Sequence, residues 1–260
     1  MSLIDTHCHL TYGALAEDPH GAWQRARDAG VDAAVVVAID AESTPTVLDF
    51  VEQYDELYAA VGIHPNHVAE AKSGDMTRVA EFAQHPKVVA IGESGLDTYW
   101  DKAPLEMQRD YLDRHIEMAL ATDLPLILHL RDTYPLAAKV LEKPARAGLR
   151  GVIHCFAGGA DEADPFIEWG WPISFSGILT YPRAENVRQA AERTPLGQCM
   201  VETDSPWLTP RGVGRRDNEP AFVVATARRL AEVKGVSFEE LSRAVSQNAV
   251  RAFPQLAATV

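Results

Sequence analysis

Short apolar runs rich in β-branched residues alternate with longer amphipathic stretches along almost the whole chain. Eight of the runs have the length and composition of buried strands, and they cover residues 3–8, 33–39, 57–63, 88–92, 124–130, 151–155, 172–176 and 198–202. Helices are predicted between and after them over residues 21–29, 77–84, 104–122, 133–147, 185–193, 220–234 and 237–253. Eight strands alternating with helices in 260 residues favour an α/β fold, the (β/α)8 TIM barrel, over an open doubly wound sheet.

The chain shows no linker, internal repeat or low-complexity segment, which predicts a single domain over residues 1–260. No GxGxxG or GxxxxGK[ST] loop follows a predicted strand, so nucleotide-binding folds are disfavoured. No apolar run reaches the roughly 18 residues that a membrane helix needs. Asp5, His7 and His9 interrupt the stretch where a signal peptide would have its apolar core. We therefore expect a cytoplasmic protein with no membrane association and no obligate protein partner.

The formal net charge of −13 predicts that most of the surface repels nucleic acid. This counts against a module that coats DNA or RNA, although an enzyme can still grip one phosphate through bound cations. Cys8, Cys155 and Cys199 are far apart and show no CxxC spacing. They indicate neither a disulfide framework nor a zinc finger.

Six potential metal ligands fall at the carboxyl ends of predicted strands, where barrel enzymes place their active sites. They are His7 and His9 at the first strand, Glu93 at the fourth, His129 at the fifth, His154 at the sixth and Asp204 after the eighth. His7 and His9 are two residues apart, so they project from the same face of the strand. Four imidazoles and two carboxylates suit Zn²⁺ or Mn²⁺. A single catalytic zinc takes about three protein ligands, so two cations that share a carboxylate account better for six.

Each of these residues alone has a structural alternative. Two histidines in a strand can be packed or can cap a neighbouring element, and Glu93 or Asp204 could cap a helix. Their coincidence at five separate strand ends favours a catalytic metal centre.

Eight short motifs occur in order over nearly the whole chain. They are IDTHCH at 4–9, VGIHP at 61–65, IGESGLD at 91–97, LHLRD at 128–132, VIHCFAG at 152–158, ETDSP at 202–206, NEP at 218–220 and NAVRAF at 248–253. Together they resemble the TatD-like metal-dependent deoxyribonucleases, a branch of the amidohydrolase superfamily. The resemblance implies an amidohydrolase-like barrel with two divalent cations (Mg, Mn or Zn) at its mouth. It also implies hydrolysis of phosphodiester bonds in DNA, often from the 3′ end.

The same resemblance implies a division of the ligands. His7, His9 and Asp204 would hold one cation, His129 and His154 would hold the other, and Glu93 would bridge them. A two-metal site of this kind lowers the pKa of a bound water and stabilises the attacking and leaving oxygens. The expected catalytic residues are Glu93 and Asp204, with Asp204 as the general base that accepts the proton of the water.

Three neighbouring residues have open roles. Glu202 precedes Asp204 by two residues and Asp5 precedes His7 by two, so each shares a face with a candidate ligand. Either carboxylate could hydrogen-bond a ligand histidine or be buried against an arginine. His64, after the third strand, could contact a phosphate, act as a general acid or be structural, and its motif favours a substrate contact.

Arginines at two places could bind substrate, because guanidinium forks match the geometry of phosphate oxygens. Arg131 lies in the motif at 128–132. Arg211, Arg215 and Arg216 cluster in the loop after Asp204, where a solvated loop is the alternative. Rim aromatics can stack unpaired bases or simply pack. The candidates are Tyr99, Trp100 and Trp207, with Lys102 nearby.

Three rival functions remain. A small-molecule amidohydrolase or esterase commonly bridges its metals with a carboxylated lysine, whereas this chain has Glu93 at the fourth strand. An aminoacyl-tRNA deacylase could use the same dinuclear site, and a metal-bearing binding protein would need closed coordination. We predict a divalent-metal-dependent deoxyribonuclease, a 3′–5′ exonuclease acting on single-stranded or frayed DNA by a two-metal mechanism.

Overall fold

Eight parallel strands pair side by side in chain order in a computed structural model that describes residues 3–214 and 217–258. The strands are β1 (Leu3–Cys8), β2 (Val31–Val37), β3 (Leu57–Val61), β4 (Val88–Asp97), β5 (Leu126–Arg131), β6 (Gly151–Ile153), β7 (Ile173–Phe175) and β8 (Cys199–Val201). Each of the eight predicted strands is present; β1 has its predicted bounds, and the other seven differ at one or both ends. The predicted (β/α)8 barrel is confirmed.

Nine α-helices are found in the described ranges, and most of them follow a strand. They are α1 (Pro19–Asp28), α2 (Thr44–Val51), α3 (Asp75–Phe82), α4 (Leu105–Thr122), α5 (Tyr134–Arg146), α6 (Ala160–Glu168), α7 (Glu185–Arg193), α8 (Val223–Lys234) and α9 (Phe238–Ala252). The sequence prediction missed α2 and α6. Both are short, α2 is apolar on several sides, and α6 carries Pro165 within it, so neither shows a clear helical period.

β4 continues five residues beyond its predicted end at Gly92. The segment after Gly92 reads as a loop because it contains a glycine and polar residues. Gly95 has φ +148°, and a Cβ on it would overlap the carbonyl oxygen of His129 on β5. A glycine therefore lets β4 run against β5 here. As a result, Glu93 lies within β4 instead of at its end.

The buried apolar side chains form a large cluster and a smaller one. Along β2, Val35 and Val37 belong to the smaller cluster, whereas Ala34 and Val36 belong to the larger. This alternation is the two-residue period of a strand that is buried on both faces. Among the described residues, no helix has both the length and the apolar character needed to cross a membrane.

The barrel closes between β1 and the segment that follows β8. An isolated parallel bridge joins Cys8 to Ser205. The Asp204 N–H donates to the His7 carbonyl across 2.9 Å, and the His9 N–H donates to the Ser205 carbonyl across 2.8 Å. The seam of the barrel is thus made by the two segments that carry His7, His9 and Asp204.

Candidate metal centre

Glu93 lies at the middle of a ring of histidines. Its Oε2 is 3.2 Å from His7 Nε2, and its Oε1 is 2.8 Å from His129 Nδ1. The same Oε1 is 3.4 Å from both His64 Nε2 and His154 Nε2. Burial disfavours the charged form of Glu93, but the histidines around it hold its pKa well below the usual range. An ionised carboxylate is therefore held where four rings can share it.

Asp204 faces the same ring from the barrel seam. Its Oδ1 is 3.6 Å from His9 Nε2, 3.9 Å from His154 Nε2 and 4.0 Å from His7 Nε2. Burial opposes ionisation here too, yet the neighbouring histidines, His9 first, lower the pKa of Asp204. Its backbone is left-handed, with φ +55°, a conformation that aspartate adopts more readily than most residues.

The loop after β8 that carries Asp204 is held by a buried amide. Asn218 Nδ2 donates to the carbonyl of Thr203 across 2.8 Å and to the carbonyl of Trp207 across 2.6 Å. These two carbonyls lie on either side of Asp204 in the chain. The NEP motif thus fixes the turn that presents Asp204 to the centre.

Outer partners fix which nitrogen of two histidines faces inward. His9 Nδ1 is 2.9 Å from the Val37 carbonyl, which can only accept, so Nδ1 carries the proton of the neutral tautomer and Nε2 faces the centre. His154 Nδ1 is 2.8 Å from Glu202 Oε1, and His154 Nε2 faces Glu93. Burial opposes a charge on His154, but Glu202 and Glu93 raise its pKa to about 10. Metal-binding histidines usually have such an outer acceptor.

His129 is oriented by Asp97, which the sequence analysis did not single out. His129 Nε2 is 2.9 Å from Asp97 Oδ2. The other oxygen of Asp97 accepts the backbone N–H groups of Tyr99 and Trp100 at 2.9 and 3.0 Å. Burial raises the pKa of Asp97, but these hydrogen bonds, His129 first, outweigh it and lower the pKa to about 2. Asp97 lies four residues after Glu93, so a longer predicted strand would have put both on one face.

The side chains offer donor sets that fit divalent cations. Among the described residues, ligand atoms within 4.8 Å of one another form four sets, namely His7–His9–Asp204, His7–His154–Glu202, His64–Glu93–His129 and His154–Cys155–Asp204. The first set matches the triple that the family resemblance implies. For the second cation, the structure groups His64 with Glu93 and His129, while the rings of His129 and His154 are 6.1 Å apart. Mixed imidazole and carboxylate donors suit Zn²⁺ and Mn²⁺.

Asp5 contacts the Thr203 loop. Its Oδ1 accepts the Thr203 N–H at 2.9 Å, and its Oδ2 is 2.6 Å from Thr203 Oγ1. It also lies 3.4 Å from the backbone nitrogen of His7. Burial raises the pKa of Asp5 to about 8. In the described part of the chain it thus contacts the His7 backbone instead of the His7 ring or an arginine.

His115 on α4 is a second residue that sequence reasoning missed. It is fully buried, and its Nε2 accepts the Ile63 N–H at 3.1 Å. Its Nδ1 is 2.7 Å from the Tyr111 carbonyl and 3.0 Å from Ser94 Oγ. Burial lowers the pKa of His115 to about 4, so the ring is neutral at neutral pH. His115 therefore ties the residue before His64 to the residue after Glu93.

A cavity of about 700 Å³ opens above the centre. His64 and Arg131 line it, and among the described residues Arg131 has no carboxylate within ion-pair distance. Arg211 is exposed and is not part of the cavity lining. Its backbone N–H donates to Thr180 Oγ1 across 2.8 Å. Arg215 and Arg216 lie outside the described residues.

Comparison with known proteins finds relatives that match nearly the whole chain. The model of a family described as TatD related DNase matches residues 4–254. An uncharacterized metal-dependent hydrolase of Bacillus subtilis, YabD, is 34% identical over 96% of this chain and 98% of its own length. The crystal structure of YjjV, a TatD homologue from Escherichia coli, superposes with a TM-score of 0.91 at 33% identity, over 97% of this chain and 98% of that one. A Pantoea vagans protein named 3′-5′ ssDNA/RNA exonuclease TatD is 31% identical over 95% of this chain and 97% of its own length.

Proposed function

The chain belongs to the TatD-related DNase family, a family of metal-dependent hydrolases, and we propose that it is a divalent-metal-dependent 3′–5′ exonuclease acting on single-stranded or frayed DNA ends. One observation carries the proposal: six side chains of metal-ligand type converge below a cavity that also presents Arg131 and His64. The name of the Pantoea vagans relative gives the direction and the single-stranded substrate.

Two cations, Mg²⁺, Mn²⁺ or Zn²⁺, would be held by the ring around Glu93. In the proposed division, His7, His9 and Asp204 hold one, and His129 and His154 hold the other. When bound, the cations supply positive charge to the phosphate and lower the pKa of a water. Glu93 is the proposed ligand of both cations, because its two oxygens face different histidines, His7 on one side and His129 on the other.

Asp204 is the proposed general base. It is ionised at neutral pH, because the surrounding histidines lower its pKa. Its side chain is 14% exposed and lines the cavity, so it can reach a water beside the phosphate. A carboxylate in this position accepts the proton that the attacking water loses.

His64 and Arg131 are the proposed phosphate contacts. His64 Nδ1 accepts the Asn66 N–H across 3.0 Å, so the proton of the neutral ring is on Nε2. Burial lowers the pKa of His64 to about 4, which keeps the ring neutral at neutral pH. The one N–H donor of His64 lies 3.4 Å from Glu93 Oε1, so in this proposal a phosphate oxygen shares it with Glu93, while Arg131 offers a charged fork.

A strand end suits this acidic protein better than a long duplex, because its net charge of −13 disfavours an extended phosphate interface. The proposed partner is thus the single-stranded substrate alone. Location in the cytoplasm stays a prediction.

The test uses single-stranded DNA labelled at the 5′ end, incubated with Mg²⁺ or Mn²⁺. Wild type should shorten the strand stepwise from its 3′ end, and EDTA should stop the reaction. Asp204→Asn should lose most activity, whereas Asp110→Asn, an exposed acidic position on α4 paired with Arg114, should keep it. If wild type leaves DNA intact but cleaves a panel of small esters, amides or aminoacyl-tRNA, the nuclease proposal is wrong.

A further inference from the structure

Four aromatic side chains lie exposed on the walls of the cavity above the metal centre. Tyr12, Tyr99, Trp100 and Trp207 are each 40 to 54% exposed, and all four line this cavity. Aromatic side chains of this size normally bury most of their surface. Their clustering around one cavity indicates a surface that binds flat apolar groups.

Tyr12 and Trp207 form a pair beside one half of the metal centre, which we call the Trp207 pair. The rings of Tyr12 and Trp207 are 5.6 Å apart, and Trp207 lies 5.2 Å from the ring of His9 in an edge contact. The Trp207 N–H also donates to the Asp204 carbonyl across 3.0 Å. This pair is therefore attached to the side of the centre formed by His9 and Asp204.

The other two form a pair on the opposite half, which we call the Trp100 pair. The rings of Tyr99 and Trp100 are 4.9 Å apart and nearly perpendicular. Their backbone N–H groups both donate to Asp97, whose other oxygen holds His129. The Arg131 guanidinium lies 4.6 Å above the Tyr99 ring. This pair is therefore attached to the His129 side and combines an aromatic surface with a cation.

We propose that the two pairs are stacking platforms for the two nucleobases that flank the scissile phosphodiester bond, one base on each side. This inference rests on the proposed function, since it takes the phosphate to lie over the metal centre. A phosphate placed there has a platform toward each of its two nucleosides. Base–aromatic stacking works for any base, because every base has a π-face.

The same arrangement explains a preference for single strands. In a duplex the faces of each base are covered by its neighbours in the stack, so a base must leave the helix before it can lie on an aromatic side chain. Two platforms require two such bases. An unpaired or frayed end meets that requirement without unstacking a duplex.

The test combines three strands with variants of each platform. The strands are an ordinary oligothymidylate, one with an abasic 3′-terminal nucleotide and one with an abasic penultimate nucleotide. The variants are Trp100→Leu and Trp207→Leu, each with a Phe counterpart that keeps a ring. Leu120→Ala is the control, because Leu120 is an exposed apolar residue of α4 outside the cavity lining. The readouts are kcat/KM with Mg²⁺ and, by fluorescence anisotropy, the Kd for a strand whose terminal linkage is a non-hydrolysable methylenephosphonate.

On the ordinary strand, each Leu variant should show a kcat/KM about tenfold lower and a Kd about tenfold higher than wild type. The Phe variant should recover most of the lost activity and affinity. On one abasic strand the loss should vanish for Trp100→Leu, and on the other abasic strand it should vanish for Trp207→Leu. Equal losses on all three strands would mean that the variants only disturb the metal centre, and the inference would fail. If both Leu variants lose their effect on the same abasic strand, the inference would also be overturned. Failure of wild type to cleave any strand refutes the proposed function instead.

Discussion

Asp97 sets the orientation of His129: its Oδ2 lies 2.9 Å from His129 Nε2, while the opposite nitrogen of that ring faces Glu93 at 2.8 Å. The buried carboxylate is ionised and accepts the proton of Nε2, so Nδ1 is the nitrogen that points into the centre. The ring reaches the centre only in the orientation that Asp97 selects.

Asp97→Asn should weaken metal binding, because a neutral amide no longer strengthens the basicity of His129. We expect a loss of about 10- to 100-fold in affinity for Mn²⁺, measured by isothermal titration calorimetry. Asp110→Asn removes an exposed charge on α4 and should leave the affinity unchanged. Equal affinities for wild type and Asp97→Asn would remove this role from Asp97.

His115→Leu should destabilise the fold in a pH-dependent way. At pH 7 the Ile63 N–H loses its acceptor in a buried site, which costs about 1–3 kcal/mol of unfolding free energy. The pKa of His115 is lowered from 6.5 to about 4 in the folded protein. On acidification, the His115 ring is therefore protonated at a higher pH in the unfolded chain than in the folded one. The free energy of unfolding of wild type therefore falls as the pH drops from about 6.5 to about 4. The contribution of His115 to this decrease is up to roughly 3 kcal/mol.

The variant has no such group, so the stability gap between wild type and His115→Leu should narrow on acidification. Urea unfolding of the metal-free proteins at pH 7 and pH 4.5 measures the gap. A gap of the same size at both pH values would contradict the neutral, buried state of His115.

Arg131→Ala should weaken the binding of DNA far more than Arg211→Ala. Arg131 lines the cavity, whereas Arg211 is exposed outside it. A hydrogen bond to a charged group contributes about 1.5–3 kcal/mol, which predicts a rise in KM of at least tenfold for Arg131→Ala. Steady-state kinetics on single-stranded DNA give both values. Similar KM values for the two variants would place the phosphate elsewhere.

Added Mn²⁺ should raise the melting temperature of the protein, because a ligand that binds only the folded state stabilises it. At a concentration about 100 times Kd the gain is about 2.7 kcal/mol, or roughly 5–10 °C for a chain of this size. Glu93→Gln should lose most of this shift, whereas Glu70→Gln, at the exposed rim of the cavity, should keep it. Differential scanning calorimetry distinguishes the two, and an equal shift in both variants would exclude Glu93 as a shared ligand.

The barrel and the inner ring of the centre were accessible from sequence because both follow from strand periodicity. His7 lies in β1 and His9 directly follows it, so the two-residue period predicts their common face. His129 was found because it lies near the carboxyl end of another predicted strand. Asp97 was missed because a glycine-containing segment looks like a loop. The pairing of residues 94–97 with β5, which the close approach at Gly95 allows, shows that the strand continues.

His115 was missed for a different reason. A histidine on the buried face of an amphipathic helix has the same pattern whether it packs or bonds. Its contacts, Ile63 and Ser94, are 52 and 21 residues away in the chain, and no local pattern links them. The sequence also does not show whether the arginines of the loop after Asp204 face the cavity, and Arg211 lies outside the cavity lining.

The seam of the barrel also sets when the protein can become active during its synthesis. His7 and His9 leave the ribosome almost 200 residues ahead of their backbone partners, Asp204 and Ser205. A nascent chain therefore carries two side chains of the His7–His9–Asp204 set and cannot complete the set until the segment after β8 has been translated. The same two segments close the barrel and complete this set, so a chain that stalls before Asp204 has neither a closed barrel nor a complete His7–His9–Asp204 set.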